Sequence, residues 1–405
     1  MRIPFRFILL SVLLNPRMAK AASDVSATAP PSSAIYTFPG IIFASMLISW
    51  GAEAAQFFMA QGAALAILAW LQTLPEYAVE FVIAKSAAQD EARTHFMIAN
   101  LTGSLRLLTG LGWPLIYFTA LFFARKNKRP FKGINLESEH AIEVICLAPA
   151  ILYWFFIWWK RSLTVYDGIV LIAVYAFYLW SLRKIPPQQH EALEDADPIP
   201  RMIVKQSPLV SYSLIALCLV GGGVIIYLLA HPFLESMLAL AVVLGVPQFV
   251  FIQWLAPFLS EFPEKISAFN WARKVKTAPM AVMNMVSSNF NQWTVLAATL
   301  PFVFSIYSGR QREIIFDDFQ AHEILLTLSQ SIVGMVLLFN LHFATREAIG
   351  IFVLWIIQLF IPDSRNIITG VNFTWAAVEI FRAARSPVGF RAIRLAPRVF
   401  RGKFD

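Results

Sequence analysis

The sequence predicts an all-α polytopic membrane protein of about ten transmembrane helices, arranged as two inverted five-helix repeats with a possible extra helix at the C-terminus. Three features carry that expectation. The 405 residues are 58% hydrophobic and only 14% charged, with a mean hydropathy of +0.62, whereas soluble domains average roughly 45–50% apolar and about 25% charged residues. Apolar runs recur along the whole chain, most of them near the ~20 residues a helix needs to cross a bilayer. One short motif occurs once in each half. This composition excludes a soluble enzyme, a secreted disulfide scaffold and a disordered chain. Cys146 and Cys218 both lie in apolar runs and read as small core residues. The net charge of +8 suits cytoplasmic loops and lipid headgroups, not nucleic acid.

Residues 1–36 read as a signal-like or flexible N-terminal segment. Arg2 and Arg6 flank an apolar run, Phe7 to Leu14, too short to span, and Ala19, Ala21 and Ala22 supply a small-residue cleavage pattern. The first repeat, 37–183, holds runs near 38–60, 63–85, 95–123, 141–159 and 163–182. Residues 184–208 form an acidic, solvated linker bearing Glu191, Glu194, Asp195, Asp197 and Pro198. The second repeat, 209–362, holds runs near 209–231, 236–270, 279–307, 320–343 and 347–362. In the remaining segment, 363–405, the run at 369–384 is either an eleventh span or an amphipathic tail helix. Arg382, Arg385, Arg391, Arg394, Arg398, Arg401 and Lys403 make this tail a cytoplasmic segment attracted to anionic lipid.

Basic residues orient the chain. Arg125, Lys126, Lys128, Arg129 and Lys132 follow the third span, Arg183 and Lys184 the fifth, and Arg273, Lys274 and Lys276 the seventh. Placing these inside puts the N-terminus outside a cell (inner) membrane, against a minority of Lys160, Arg161, Arg310 and Arg312.

The motif itself carries the chemistry. Gln72-Thr-Leu-Pro-Glu76 and Ala99-Asn-Leu-Thr-Gly-Ser104 in the first half match Ser260-Glu-Phe-Pro-Glu264 and Met283-Asn-Met-Val-Ser-Ser288 in the second. Pro75 pairs with Pro263, Glu76 with Glu264, Asn100 with Asn284 and Ser104 with Ser288. Tyr166-Asp-Gly168 and Arg346-Glu347 open the last span of each half as a weaker echo. An odd number of spans per half inverts the copies, as in many secondary transporters. A proline inside a span frees a carbonyl one turn earlier, and such a break survives in lipid only where it lines a protein cavity. A carboxylate beside it is expensive and marks function. Glu76 and Glu264 are therefore expected at one mid-membrane cation site. Oxygens from Thr73, Asn100, Ser104, Ser260, Glu261, Asn284, Ser288, Asn289 and Gln292 are candidates to complete it. Such an all-oxygen set suits hard cations.

These motifs resemble the repeats of the sodium/calcium exchanger (cation/calcium antiporter) superfamily, G-T-S-L-P-E followed by G-N-x-x-G-S-N, and the second copy is the closer. The chain is thereby identified as a divergent member. The resemblance implies ten core spans, Glu76 and Glu264 as shared central ligands, Ser104 and Ser288 as helpers at flanking sodium sites, and alternating access. The implied activity is antiport of Ca2+ or a related cation against Na+ or H+, with no cofactor, and with the lipid bilayer and inorganic cations as partners.

The departures are specific. Four residues after the motif serine, where the family places Asn or Asp, stand Leu108 and Gln292. Leu105 replaces the final Asn of the first copy, Arg106 follows it, and Glu261 replaces a hydroxyl residue. Arg106 is expected either to supply a compensating charge offset by Glu261 or to reach an interface. Glu80, one turn beyond Glu76, is either a second cavity carboxylate or a solvated residue. A sodium/proton exchanger and a non-transporting membrane sensor or structural partner are the alternative readings. No Ser–Lys, paired Asp or H-E-x-x-H pattern falls within a span, so an enzyme is not expected. The histidines have no metal spacing. The tryptophans, Trp154, Trp158 and Trp159 among them, fit an aromatic belt. Gly221-Gly-Gly223 reads as a close-packing or bending point.

Overall fold

The computed structural model describes residues 27–58, 73–182, 193 and 196–401. The signal-like run, the first part of the second predicted span and the first part of the linker, apart from residue 193, lie outside these residues. Six helical stretches within them are long and apolar enough to cross a membrane: Pro31–Phe58, Glu91–Lys126, Ala141–Lys160, Val165–Leu182, Pro208–Leu244 and Asp318–Asn340.

The first half contributes α1 (Ala34–Ala55), α2 (Leu74–Gln89), α3 (Thr94–Leu107), a π-turn at Leu108–Gly112 and α4 (Trp113–Lys126). A two-residue strand β1 (Ile134–Asn135), α5 (Ala141–Lys160), β2 (Ser162–Leu163) and α6 (Val165–Leu182) complete it. A short linker helix α7 (Pro198–Val204) precedes the second half. That half contains α8 (Pro208–Leu244), α9 (Gln248–Ser260), α10 (Phe262–Arg273), α11 (Ala278–Asn291), a π-turn at Gln292–Leu296 and α12 (Ala297–Tyr307). Then come β3 (Ile314–Ile315), α13 (Asp318–Leu337), β4 (His342–Phe343), α14 (Thr345–Phe360), α15 (Arg365–Arg385) and α16 (Arg391–Phe400).

The two halves are related element by element. Each π-turn begins four residues after the motif serine. The strands pair crosswise, β1 with β4 and β2 with β3, both antiparallel, as an internal two-fold requires. Likewise α2 packs on α12 as α10 packs on α4, and α6 on α12 as α14 on α4. The weaker sequence echo is a matched pair of caps: Asp167 Oδ2 accepts the Thr164 N–H at 2.7 Å, and Glu347 Oε2 accepts the Ala344 N–H at 2.7 Å. The longer Pro-to-Asn spacing in the first copy is one extra helical turn, since α2 has 16 residues and α10 has 12.

Several expectations change. The runs read as 209–231 and the start of 236–270 form the single 37-residue helix α8. The gap between those runs is helical, and the bundle satisfies the polar residues at its end: Glu235 pairs with Arg93 and accepts the Thr28 N–H at 2.7 Å, and Ser236 meets Thr37 at 2.9 Å. The helix stops at Gly245 instead, whose φ of +66° suits glycine. Val246 N–H donates to Ala241 and Gly245 N–H to Val242, closing a Schellman cap. Part of the supposedly solvated linker is docked, with Pro200 and Ile203 of α7 buried and Asp197 accepting from Asn270. The segment read as 369–384 is a bundle helix, α15, lying along α13, with Asn372 donating to Ser329 at 3.1 Å. Only Trp159 of the three tryptophans faces outward; Trp154 donates to the Trp293 carbonyl at 2.7 Å and Trp158 to that of Ala321 at 3.0 Å. Of the glycine triplet, Gly222 alone abuts α1, while Gly221 and Gly223 face open space.

Aromatic and aliphatic side chains such as Leu152, Phe156, Leu217, Tyr227 and Leu228 point outward from α5 and α8. That is the pattern of a bundle solvated by lipid.

Candidate functional site

The site forms where a helix breaks. α9 ends at Ser260, Glu261 is the one non-helical residue, and Pro263 is the second residue of α10. Proline has no N–H to give the Leu259 carbonyl. Pro75 takes the same place at the start of α2, after Thr73. The predicted breakers therefore lie at helix starts, which is where proline is tolerated best. α3 crosses α9, and α11 packs on α10. Each crossing helix carries its motif asparagine and serine one turn apart and then widens into a π-turn, a device that re-aims the following side chains.

Three acidic side chains converge here. Glu76, Glu261 and Glu264 are 4%, 0% and 5% exposed. Ser288 Oγ lies 3.2 Å from both oxygens of Glu264. Gln292 Nε2 bridges the halves, donating to Glu76 Oε2 and Glu261 Oε1 at 3.1 Å each. Ser104 Oγ also donates to Glu261 Oε1, and Lys265 Nζ lies 2.7 Å from Glu261 Oε2. Glu264 and Glu261 both act electrostatically on Glu76. One turn along α2, Glu80 is fully buried and accepts from Asn100 Nδ2; it is not solvated. Four buried oxygens here have no hydrogen-bond partner: Glu76 Oε1, Gln292 Oε1, Glu80 Oε1 and Asn100 Oδ1. Acceptors left bare in a buried place fit a cation, since no donor competes for their lone pairs.

The other predicted residues take different positions. Ser260 turns back to the Ala256 carbonyl at 3.0 Å. Thr73 is buried at the start of α2, and Asn284 is half-buried on α11, one turn before Ser288. Asn289 ties α11 to the opposite π-turn through Thr109 Oγ1 at 3.2 Å. Glu261 has both oxygens occupied by protein donors.

Arg106 does not offset Glu261. It follows Ser104 by two residues, so the helical turn carries it away from the carboxylates. There Nη2 pairs with Glu323, Nη1 donates to Gln358 at 3.1 Å and Nε to the Thr102 carbonyl at 3.1 Å. Arg365 of α15 binds the other oxygen of Glu323, and Gln253 donates to that carboxylate at 2.6 Å. The indole of Trp254 faces the Arg106 guanidinium at 5.0 Å. Sequence reasoning missed Lys265, Glu323 and Arg365. Lys265 was detectable as the residue four positions after Glu261 on one helical face. Glu323 stands in Ala-His-Glu where the first half has Ala-Ile-Glu143. Nothing in the sequence joins Arg106 to a residue 217 positions away.

A family model described as sodium/calcium exchanger protein matches residues 32–183 and 214–362. No curated protein matches the chain. Among solved structures, the crystal structure of the H+/Ca2+ exchanger CAX superposes with a TM-score of 0.83 at 29% identity, covering 98% of each chain. Native YfkE gives 0.58 at 14% identity, over 92% of this chain and 100% of the other. The sodium-calcium exchanger NCX_Mj gives 0.53 at 16% identity, over 81% of this chain and 96% of the other. These last two likenesses concern the fold alone.

Proposed function

Because this chain belongs to the sodium/calcium exchanger protein family, we propose that it is a secondary antiporter exchanging Ca2+, or a closely related divalent cation, for protons. Glu76 and Glu264 are the shared ligands, one from each repeat. The observation that carries this reading is a pair of buried carboxylates that act on each other electrostatically, Glu264 held by the Ser288 hydroxyl and Glu76 by the Gln292 amide, with Glu76 Oε1 and the Gln292 carbonyl lacking any donor. A divalent cation matches two carboxylates in charge and takes oxygen ligands at about 2.3–2.6 Å. Protons neutralise the same pair, so each ion displaces the other. The likeness to an H+/Ca2+ exchanger over nearly the whole chain favours protons over sodium as the counter-ion.

Ser104, Ser288 and Gln292 orient the carboxylates, while Asn100, Asn284, Thr73 and Ser260 line the surrounding turns. Glu80 and Asn100 offer a second oxygen pair one helical turn along the path. The two repeats, 37–183 and 209–362, rock about the carboxylates to open them to alternate sides. The protein resides in the cell membrane with its N-terminal segment outside, on the distribution of Lys and Arg. The test is uptake of radiolabelled Ca2+ into proteoliposomes under an imposed pH gradient. Uptake is expected in wild type and lost in Glu76→Gln and in Glu264→Gln. Uptake indifferent to both substitutions overturns the site.

A further inference from the structure

The two repeats differ in charge where they are otherwise matched. Aligned on the motif prolines, Thr73 and Tyr77 of the first repeat correspond to Glu261 and Lys265 of the second. The second repeat has thus acquired a carboxylate and an ammonium together, four residues apart across the helix break. They meet: Lys265 Nζ lies 2.7 Å from Glu261 Oε2, with side chains 6% and 0% exposed. The carboxylate's other oxygen accepts from Ser104 Oγ and from Gln292 Nε2. That Gln292 nitrogen also holds Glu76, so the Glu–Lys pair is built into the wall of the proposed divalent site.

We propose that Lys265 is a resident monovalent cation. Its ammonium is a compact point charge with three donors and occupies a carboxylate that, with the neighbouring Ser104 hydroxyl, otherwise offers oxygens to an alkali cation. With Glu261 permanently neutralised from within, only Glu76 and Glu264 remain to be balanced by transported ions. Exchange is therefore independent of Na+. Removing the ammonium leaves a buried, uncompensated carboxylate, which is costly and recruits a cation from solution. This inference rests on the reading that Glu76 and Glu264 hold the transported divalent cation.

The test compares Ca2+ uptake under a pH gradient in proteoliposomes bathed in NaCl or in choline chloride. Wild type is expected to transport equally in both. Lys265→Met is expected to fall by about tenfold or more in choline, a change of ~1.4 kcal/mol, and to recover in NaCl. The double variant Glu261→Gln/Lys265→Met, neutral at both positions, loses that Na+ dependence. Glu261→Gln alone leaves the ammonium beside Glu76 and Glu264, and the Ca2+ concentration for half-maximal uptake rises by about tenfold. If Lys265→Met does not fold, Glu261→Gln decides the matter, and an unchanged half-maximal Ca2+ concentration in it overturns the resident-cation role. Na+-dependent uptake in wild type, or uptake by Lys265→Met that is the same in both salts, overturns the resident-cation role. If those results accompany loss of uptake in Glu76→Gln and Glu264→Gln, the inference alone fails. If Glu76→Gln and Glu264→Gln transport normally, the underlying reading fails with it.

Discussion

Gly103 stands between the motif residues Asn100 and Ser104, where α3 packs tightly against the Gln253 backbone of α9. A Cβ added there falls 1.7 Å from the Gln253 carbonyl oxygen and 2.6 Å from its carbonyl carbon. Both are backbone atoms, so no rotamer change relieves the clash. Within α9 that carbonyl points toward position 257, where Pro257 has no N–H to donate, and it is directed at the glycine instead. Restoring ordinary contact at 3.4 Å from 1.7 Å requires the helices to part by the difference, about 1.7 Å, unless they also bend. Parting them pulls Ser104 from Glu261 and shifts Gln253 against Glu323. Overpacking of this kind costs about 1–3 kcal/mol, and a ~1 Å misplacement at a reacting centre costs about a hundredfold in rate. Gly103→Ala is therefore expected to lower the melting temperature in detergent and to cut pH-gradient-driven Ca2+ uptake by roughly a hundredfold. Gly221→Ala and Gly223→Ala, with nothing within 4 Å of the new Cβ, serve as controls and should match wild type in both assays. Wild-type melting and uptake in Gly103→Ala would refute the close-approach argument.

Two further substitutions probe the surroundings of the site. Glu323→Gln leaves Arg106 and Arg365 buried without their shared carboxylate and should cost about 3–5 kcal/mol; an unchanged thermal midpoint in detergent would show that the cluster does not hold α15 to the core. Gln292→Leu copies Leu108 of the opposite repeat and removes the amide that bridges Glu76 and Glu261. Hydrogen bonds to charged groups contribute about 1.5–3 kcal/mol, so half-maximal uptake should require at least about tenfold more Ca2+, and an unaltered concentration dependence would count against the bridging role.

The fold was legible because the bilayer imposes a coarse code. Spans such as 141–159 and 163–182 correspond closely to α5 and α6, since an apolar run bounded by polar ends admits few other structures in lipid. The repeat was legible for a different reason: proline beside glutamate is costly within a span, and its recurrence at matching positions has no simple packing explanation. What escaped was pairing at long range. Arg106 invites a partner, but its choice of Glu323 over Glu261 depends on helical phase and on the placement of α13 and α15, neither of which is written locally. The α8 region failed similarly. The gap left between the runs 209–231 and 236–270 closes into one helix because Arg93 and Thr28 satisfy Glu235 and Thr37 meets Ser236. Lys265 was the nearest miss, lying four residues beyond a glutamate that the motif comparison had already singled out.

The most direct test of the two-glutamate site is calorimetric titration of the purified protein with Ca2+ in buffers of differing ionisation enthalpy, which counts ions bound and protons released together. A single Ca2+ is expected to bind per chain with release of protons, and both signals should be lost in Glu76→Gln and in Glu264→Gln. Binding without proton release in wild type, or undiminished binding in either variant, would contradict the two-glutamate site.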